Sequence, residues 1–502
     1  MKTKLSIIAL AIASILSTSS FAASSADVTQ AGSDNAANVT QDSNQSASAS
    51  VNQDGTANVA NVGQQNSRTT TATVGQIGNS NVASVSQNFG LDTKASISTN
   101  GNNNSASVLQ DNAWHVEASA QQNGNANTAS IAQNGSWADY AKASATQNGN
   151  SNTATINQTS TFQYNGNSGG VTATINQIDF SQSNSALINQ IGESYRSAAT
   201  IEQKGGVNNH AKVDQSGADN TATINQTGGA NNQSEVAQNG NNNTGTINQH
   251  SEYSAIAKVN QSGSSESATI TQESGNIGAQ AYATQSGSSN SANILQKGWA
   301  DFAKATIVQD GSSNNATVVQ NGNFTTWPNY STVNVSQLGN LNTAAVTQFA
   351  TGHSAANVSQ YNANNVATVN QTNSSSVTAN VTQNGNDIAT VTQANSYAST
   401  ANINQLADGN TATVSQIGAL NSNANITQQG GSGNIGTIAQ SGSFNEANIL
   451  QNGNNLTATI TQSGIGLPGM VNTALVDQGN TGHAATITQS VGSGNYAKIV
   501  QR

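Results

Sequence analysis

A five-residue pattern, Ala-x-Ile/Val-x-Gln, returns along nearly the whole chain, and its spacing constrains the fold more than any other feature. It opens as Ala26-Asp27-Val28-Thr29-Gln30, recurs as Ala154-Thr155-Ile156-Asn157-Gln158 and Ala412-Thr413-Val414-Ser415-Gln416, and closes as Ala497-Lys498-Ile499-Val500-Gln501. About forty copies occur, counting degenerate ones such as Ala95 to Thr99. The first repeat glutamines are Gln30, Gln41, Gln53, Gln64, Gln76 and Gln87, so the steps are 11, 12, 11, 12 and 11. That alternation makes the unit 23 residues long with two similar halves, and roughly twenty units fill the chain.

Each half reads as a strand and a turn. In Asn152 to Gln158 the alternation has period two. Asn152, Ala154, Ile156 and Gln158 share one face, and Thr153, Thr155 and Asn157 the other. Only the first face carries aliphatic side chains, so it is the expected inner one. The same inner set recurs as Asn220, Ala222, Ile224 and Gln226, and as Asn290, Ala292, Ile294 and Gln296. Gln147-Asn148-Gly149 and Gln285-Ser286-Gly287 are read as turns, with Gly149 and Gly287 supplying backbone freedom.

Two strands per 23 residues predict an all-β fold, a β-solenoid of about twenty strand-turn-strand coils with cross-β stacking. Stacked coils place like residues about 4.8 Å apart. A buried amide is costly alone. In a ladder of identical amides it donates to one neighbour and accepts from the other. An antiparallel meander would also use short strands, but it does not explain a period of 23 with identical residues in fixed columns. Plain Asn/Gln-rich disorder does not explain the strict spacing either.

Composition agrees. Charged residues are 7% of the 502, against roughly 25% in globular proteins, and aromatics are 4%. So few large apolar side chains cannot fill a thick core, and order must come from repetition. The net charge of −10 disfavours nucleic acid and anionic membrane as partners. The absence of cysteine excludes thiol chemistry.

The start of the chain reads differently. Met1-Lys2-Thr3-Lys4 is basic, Leu5 to Leu16 is apolar but too short to span a membrane, and Ser20-Phe21-Ala22 supplies small residues at a cleavage site. Residues 1–22 are the expected secretory signal peptide and 23–502 one continuous run of repeats, with no later membrane span. The first and last repeat strands, carrying Gln30 and Gln501, lie near the ends of that run, and no capping segment is evident. Open edges with matching columns favour head-to-tail stacking of copies into a fibre.

Gln147-x-Gly149-x-x-Asn152-x-Ala154-x-x-x-Gln158 resembles the curlin repeat position by position, and Gln285, Gly287, Asn290, Ala292 and Gln296 match it again. The resemblance covers almost all of the chain after residue 22. It implies a secreted, extracellular cell-surface subunit of curli-like amyloid fibres in the biofilm matrix, acting in adhesion and cell aggregation. It also implies partners: a nucleating minor subunit and an outer-membrane secretion pore. The chain has more units than familiar curlins. It often has Ala where the pattern has Ser, as at Ala141, Ala255 and Ala303, and shows no glycine-rich segment before the repeats.

Irregular stretches remain. The connections Gln158 to Gln177, Gln320 to Gln337 and Gln462 to Gln478 are long. Between Gln177 and Gln215 the steps become 13, 13 and 12, which fits either a break between two stacks or a change of turn length. Trp114, Trp137, Trp299 and Trp327 fall in connections, and Lys94, Lys142, Lys212, Lys258, Lys304 and Lys498 at outward strand positions. His115, His210, His250, His353 and His483 make no metal spacing, and no nucleotide loop or paired-carboxylate motif stands out. No catalytic residue, metal or cofactor is expected. The competing function is a monomeric solenoid that binds ice or another surface through outward Thr pairs such as Thr153/Thr155.

Overall fold

A computed structural model describes residues 11–16, 23–135, 140–160, 170–192, 196–322 and 329–502. All of its regular elements are β-strands. The chain forms two compact units, Met1–Ser251 and Glu252–Arg502. Each is a parallel β-solenoid, and together they hold about twenty coils of roughly 23 residues.

In the first unit, Ser25–Ser33 pairs in parallel with Ser48–Thr56, and that strand with Thr71–Asn79. Ala36–Asp42 pairs with Val59–Gln65, and that strand with Val82–Asn88. Alternate strands are therefore neighbours, and each coil contributes one strand to each of two facing sheets. The register is residue on residue. Ala154 stacks on Ala129 and Ala186, and Ile156 on Ile131 and Ile188.

The two halves of a coil differ more than the sequence suggested. The opening coil has a nine-residue strand, Ser25–Ser33, a narrow corner at Asp34 and Asn35, and a seven-residue strand, Ala36–Asp42. A wider corner follows, in which Gln45 bridges Arg68, Arg68 bridges Leu91, and Leu91 bridges Trp114. The corners turn at left-handed residues such as Asp34 (φ 57°), Ser43 (54°) and Ser46 (60°). These short polar residues tolerate that region better than branched ones do.

Gly149 and Gly287, expected in turns, lie inside strands Lys142–Asn150 and Gln280–Ser288. The chain reverses just after them, at Ser151 (φ 57°) and Ser289 (φ 59°). The glycines are needed for a different reason. A Cβ on Gly149 would sit 2.0 Å from the Ser181 carbonyl oxygen, and one on Gly287 1.9 Å from that of Gly311. Backbones of successive coils meet here with no room for a side chain, and φ is +150° and +113°.

The altered spacing after Gln158 is not a break. Gln147 pairs with Gln177 and Gly149 with Ser181, so the strand Thr172–Gln182 holds extra residues, bulged at Asp179 and Phe180. Both have left-handed φ, and Phe180 is 85% exposed. Beyond this region the long strand changes sides: Gln233–Asn241 belongs to the sheet of Ala36–Asp42.

The second unit runs from Ile256–Ser264 and Ser267–Glu273 to Ala484–Gln489 and Tyr496–Gln501, again in parallel pairs. A bulge at Ile417 and Gly418 and a small excursion closed by Leu467 and Met470 absorb part of its irregular spacing, and residues 323–328 of the Gln320–Gln337 connection lie outside the described residues.

Ala11–Leu16 runs parallel to Ala36–Asp42. The remainder of the leader expected over residues 1–22 lies outside the described residues, as do Trp137, Trp327 and most of the connection after Gln158.

Candidate self-assembly surface: amide ladders and end strands

The inner glutamines form hydrogen-bonded ladders within each unit. Gln147 Nε2 donates to Gln177 Oε1 at 2.9 Å, and Gln147 Oε1 accepts from Gln122 at 2.9 Å. Gln158 accepts from Gln133 at 2.9 Å and donates to Gln190 at 2.9 Å. Gln226 accepts from Gln203 at 2.8 Å and donates to Gln249 at 2.9 Å. In the second unit Gln285 stands between Gln261 and Gln309 at 2.9 and 2.8 Å. Gln296 stands between Gln272 and Gln320 at 2.8 Å each.

The second amide hydrogen has its own partner. Gln147 Nε2 also donates to the Thr128 carbonyl at 2.9 Å, and Gln285 Nε2 to that of Ser267 at 3.0 Å. These carbonyls belong to the facing sheet, so each glutamine joins neighbouring coils and also ties one sheet to the other. The sequence suggested the first bond and gave no sign of the second.

The asparagines at the narrow corner form a ladder of opposite sense. Asn152 Nδ2 donates back to Asn127 Oδ1 at 3.2 Å and on to the Ser181 carbonyl at 3.0 Å. Its own Oδ1 accepts the Asn184 backbone N–H at 3.1 Å. Asn220 donates to the Gly240 carbonyl at 2.7 Å, and Asn290 to that of Gly311 at 3.0 Å. Between the amides lie Ala154, Ile156, Ala222, Ile224, Ala292 and Ile294, all buried. Each fully buried Ile contributes about 1.5–3 kcal/mol, so the core is thin but repeated.

The terminal strands differ from the interior. In Ser25–Ser33 and Tyr496–Gln501 the inward side chains are half-buried rather than buried, including those of Gln30 and Gln501. Gln30 Nε2 donates to Gln53 Oε1 at 2.6 Å, but among the described residues Gln30 Oε1 accepts no hydrogen bond. Gln501 accepts from Gln478 at 2.8 Å, and its Nε2 reaches only the Ala484 carbonyl at 3.1 Å among the described residues. An acceptor is left at one end and a donor at the other.

Four buried acids escaped the sequence reading: Glu252, Glu266, Asp301 and Asp387. Glu266 takes the Asn position of the motif, in Gln261-x-Gly263-x-x-Glu266-x-Ala268, and that substitution was the available signal. Its carboxylate accepts the backbone N–H of Asn290 at 3.0 Å and the side-chain amide at 3.2 Å. Asp387 Oδ1 accepts the Asn410 N–H at 2.9 Å, while among the described residues Oδ2 has no partner. Burial pushes the Glu252 carboxyl up to about 8, Asp387 up to about 6, and Glu266 above the usual carboxylate range. The hydrogen bonds from Asn290 and Asn410 act against this burial effect and favour the ionised form.

Outside, charges alternate in sign. Glu117 lies 3.4 Å from both Lys94 and Lys142 on the neighbouring coils, and the Lys94 hydrogen bond lowers its carboxyl pKa. Lys212 pairs with Asp214 at 2.6 Å and Glu235 at 3.6 Å. Lys258, Lys304 and Lys498 are exposed. His115 stacks on Tyr140 at 4.9 Å, and Tyr330 on Phe302 at 5.1 Å. Among the described residues no cluster of three or more His, Asp or Glu converges on a common point, and no helix is long and apolar enough to cross a membrane.

The curlin associated repeat matches the chain at residues 196–228 and 431–464, one match in each unit, consistent with a curlin-repeat family member. No curated protein matches the chain significantly.

Proposed function

We propose that this curlin-repeat chain is a secreted structural subunit of curli-like amyloid fibres, exported after removal of residues 1–22 and acting in the extracellular matrix in adhesion and cell aggregation. The observation that carries the reading is the uniform direction of the glutamine ladders. Every pair described runs from the Nε2 of one coil to the Oε1 of the next coil along the chain, as in Gln53 to Gln76 and Gln478 to Gln501.

A second copy placed with its Gln30 strand on the Gln501 end continues this direction. The donor left at Gln501 meets the acceptor left at Gln30. A head-to-head arrangement would oppose donor to donor. The contact is therefore heterologous and does not close, which gives a fibre. A nucleating subunit with the same columns would offer the same edge, and an outer-membrane pore would pass the chain before it folds.

Purified residues 23–502, incubated without denaturant, test this by electron microscopy and amyloid-dye binding. Unbranched, dye-positive fibres are expected. Persistent single rods would overturn fibre formation and favour the monomeric surface-binding solenoid.

A further inference from the structure

In the second unit, the part of one sheet that follows Glu273 and Lys297 has an outer face without charge. Eight of its strands follow one another in parallel, from Asn315–Asn321 to Ala484–Gln489. None of their outward positions is Asp, Glu, Lys or Arg. On the facing sheet of the same unit, Lys258 and Lys304 precede and Glu446, Asp477 and Lys498 follow five strands, Thr332–Asn340 to Asn423–Gln428, that are uncharged too.

The uncharged face is also regular. Thr368, Thr390, Thr413, Thr437, Thr459 and Thr486 stand on six successive strands at one register position. Beside them Val366, Ile388 and Ile435 are 38%, 49% and 47% exposed. Methyl groups and hydroxyls thus repeat on a pleated plane, with Phe349 and the bulged Ile417 standing out at its margin.

We infer that this face pairs with the same face of a second copy, joining solenoids side by side. Eight strands at about 4.8 Å and seven residues at about 3.3 Å give a plane of roughly 900 Å², against about 800 Å² per partner in a standard stable interface. Like faces without charge meet without repulsion, and short β-branched side chains interdigitate as in dry sheet-to-sheet contacts. A two-fold axis makes the contact self-complementary, so it closes at two copies. On the opposite face Glu446, Asp477 and Lys498 oppose further lateral growth near the C-terminal end of the unit. This contact uses a sheet face and not the end strands, so it does not depend on end-to-end stacking.

The test uses residues 23–502 carrying Thr390→Lys with Thr437→Lys. The control carries Thr382→Lys with Thr427→Lys on the opposite sheet, and circular dichroism checks the fold of each. Filament width is read by electron microscopy and the mass of soluble chains by sedimentation velocity. Wild-type and control chains should form paired filaments or soluble dimers, and the Thr390/Thr437 variant single ones, with filament width halved. Dimers without fibres, abolished only in that variant, would support the face while failing the end-stacking reading. Pairing that survives in the variant, or is lost equally in the control, overturns the inference. Wild-type chains that stay single and adsorb to ice would overturn it in favour of solid-surface binding.

Discussion

Gln122 stacks on Thr99 in the first unit, and between them the glutamine ladder is interrupted. Among the described residues neither Gln122 Oε1 nor Thr99 Oγ1 has a hydrogen-bond partner, although both residues are buried. Threonine is too short to reach either neighbouring glutamine, so the coil pairs correctly but leaves polar atoms unpaired.

Thr99→Gln should close the gap. It would supply a donor to Gln122 and an acceptor for Gln76, a gain of about 1–3 kcal/mol for two buried hydrogen bonds. Denaturant unfolding of residues 23–502 should show a higher midpoint. An unchanged midpoint would mean that the ladder adds little to stability.

Glycine replacements should separate sharply. Gly287→Ala places a Cβ 1.9 Å from a carbonyl oxygen at φ +113°, so a loss of about 3 kcal/mol or more is expected. Gly75→Ala meets nothing within 4 Å and should be neutral or stabilising by up to about 1 kcal/mol. Equal effects in thermal unfolding would contradict the close stacking of coils at the glycine column.

The second unit should weaken as pH rises. Glu252 and Asp387 have folded-state pKa values raised to about 8 and about 6 from ordinary values of 4.5 and 3.8. The folded state therefore holds the extra protons. Their contribution is complete below the ordinary values and is lost as pH rises through the raised ones. Desolvation is the main cause for both, with Asp301 beside Glu252 and Asp408 beside Asp387 adding repulsion. Glu117 and Asp477 shift the other way but are only partly buried, so solvent screens them. Stability measured by denaturant from pH 4 to 8 should fall, and Glu252→Gln with Asp387→Asn should flatten the fall. A flat wild-type profile would refute it.

Elongation should depend on the end glutamines. Gln30→Ala or Gln501→Ala removes an atom pair that the proposed contact between copies requires, whereas Gln249 lies in a ladder within one copy. Seeded growth followed by dye fluorescence should be slower for the two end variants than for Gln249→Ala. Equal rates for the three would count against end-to-end stacking.

Much of this architecture was legible in the sequence because a stacked coil forces like residues into the same column. The spacing from Gln30 to Gln87 dictated two strands per 23 residues, and the alternation from Asn152 to Gln158 dictated which side chains turn inward. No long-range information was needed, since each coil repeats the contacts of the last.

Only the tertiary structure decided the rest. Gly149 and Gly287 are required by a carbonyl one coil away, not by a local turn. The extra residues between Gln177 and Gln190 are expelled as a bulge at Asp179 and Phe180, which leaves the buried ladder unbroken. The second bond of each glutamine reaches the facing sheet, a distance that no column of identical residues records. The carboxyls of Glu266 and Asp387 are held above their usual range only because stacking removes water from the corner. Sequence repetition fixes what lies above and below a residue, and folding alone fixes what lies across from it.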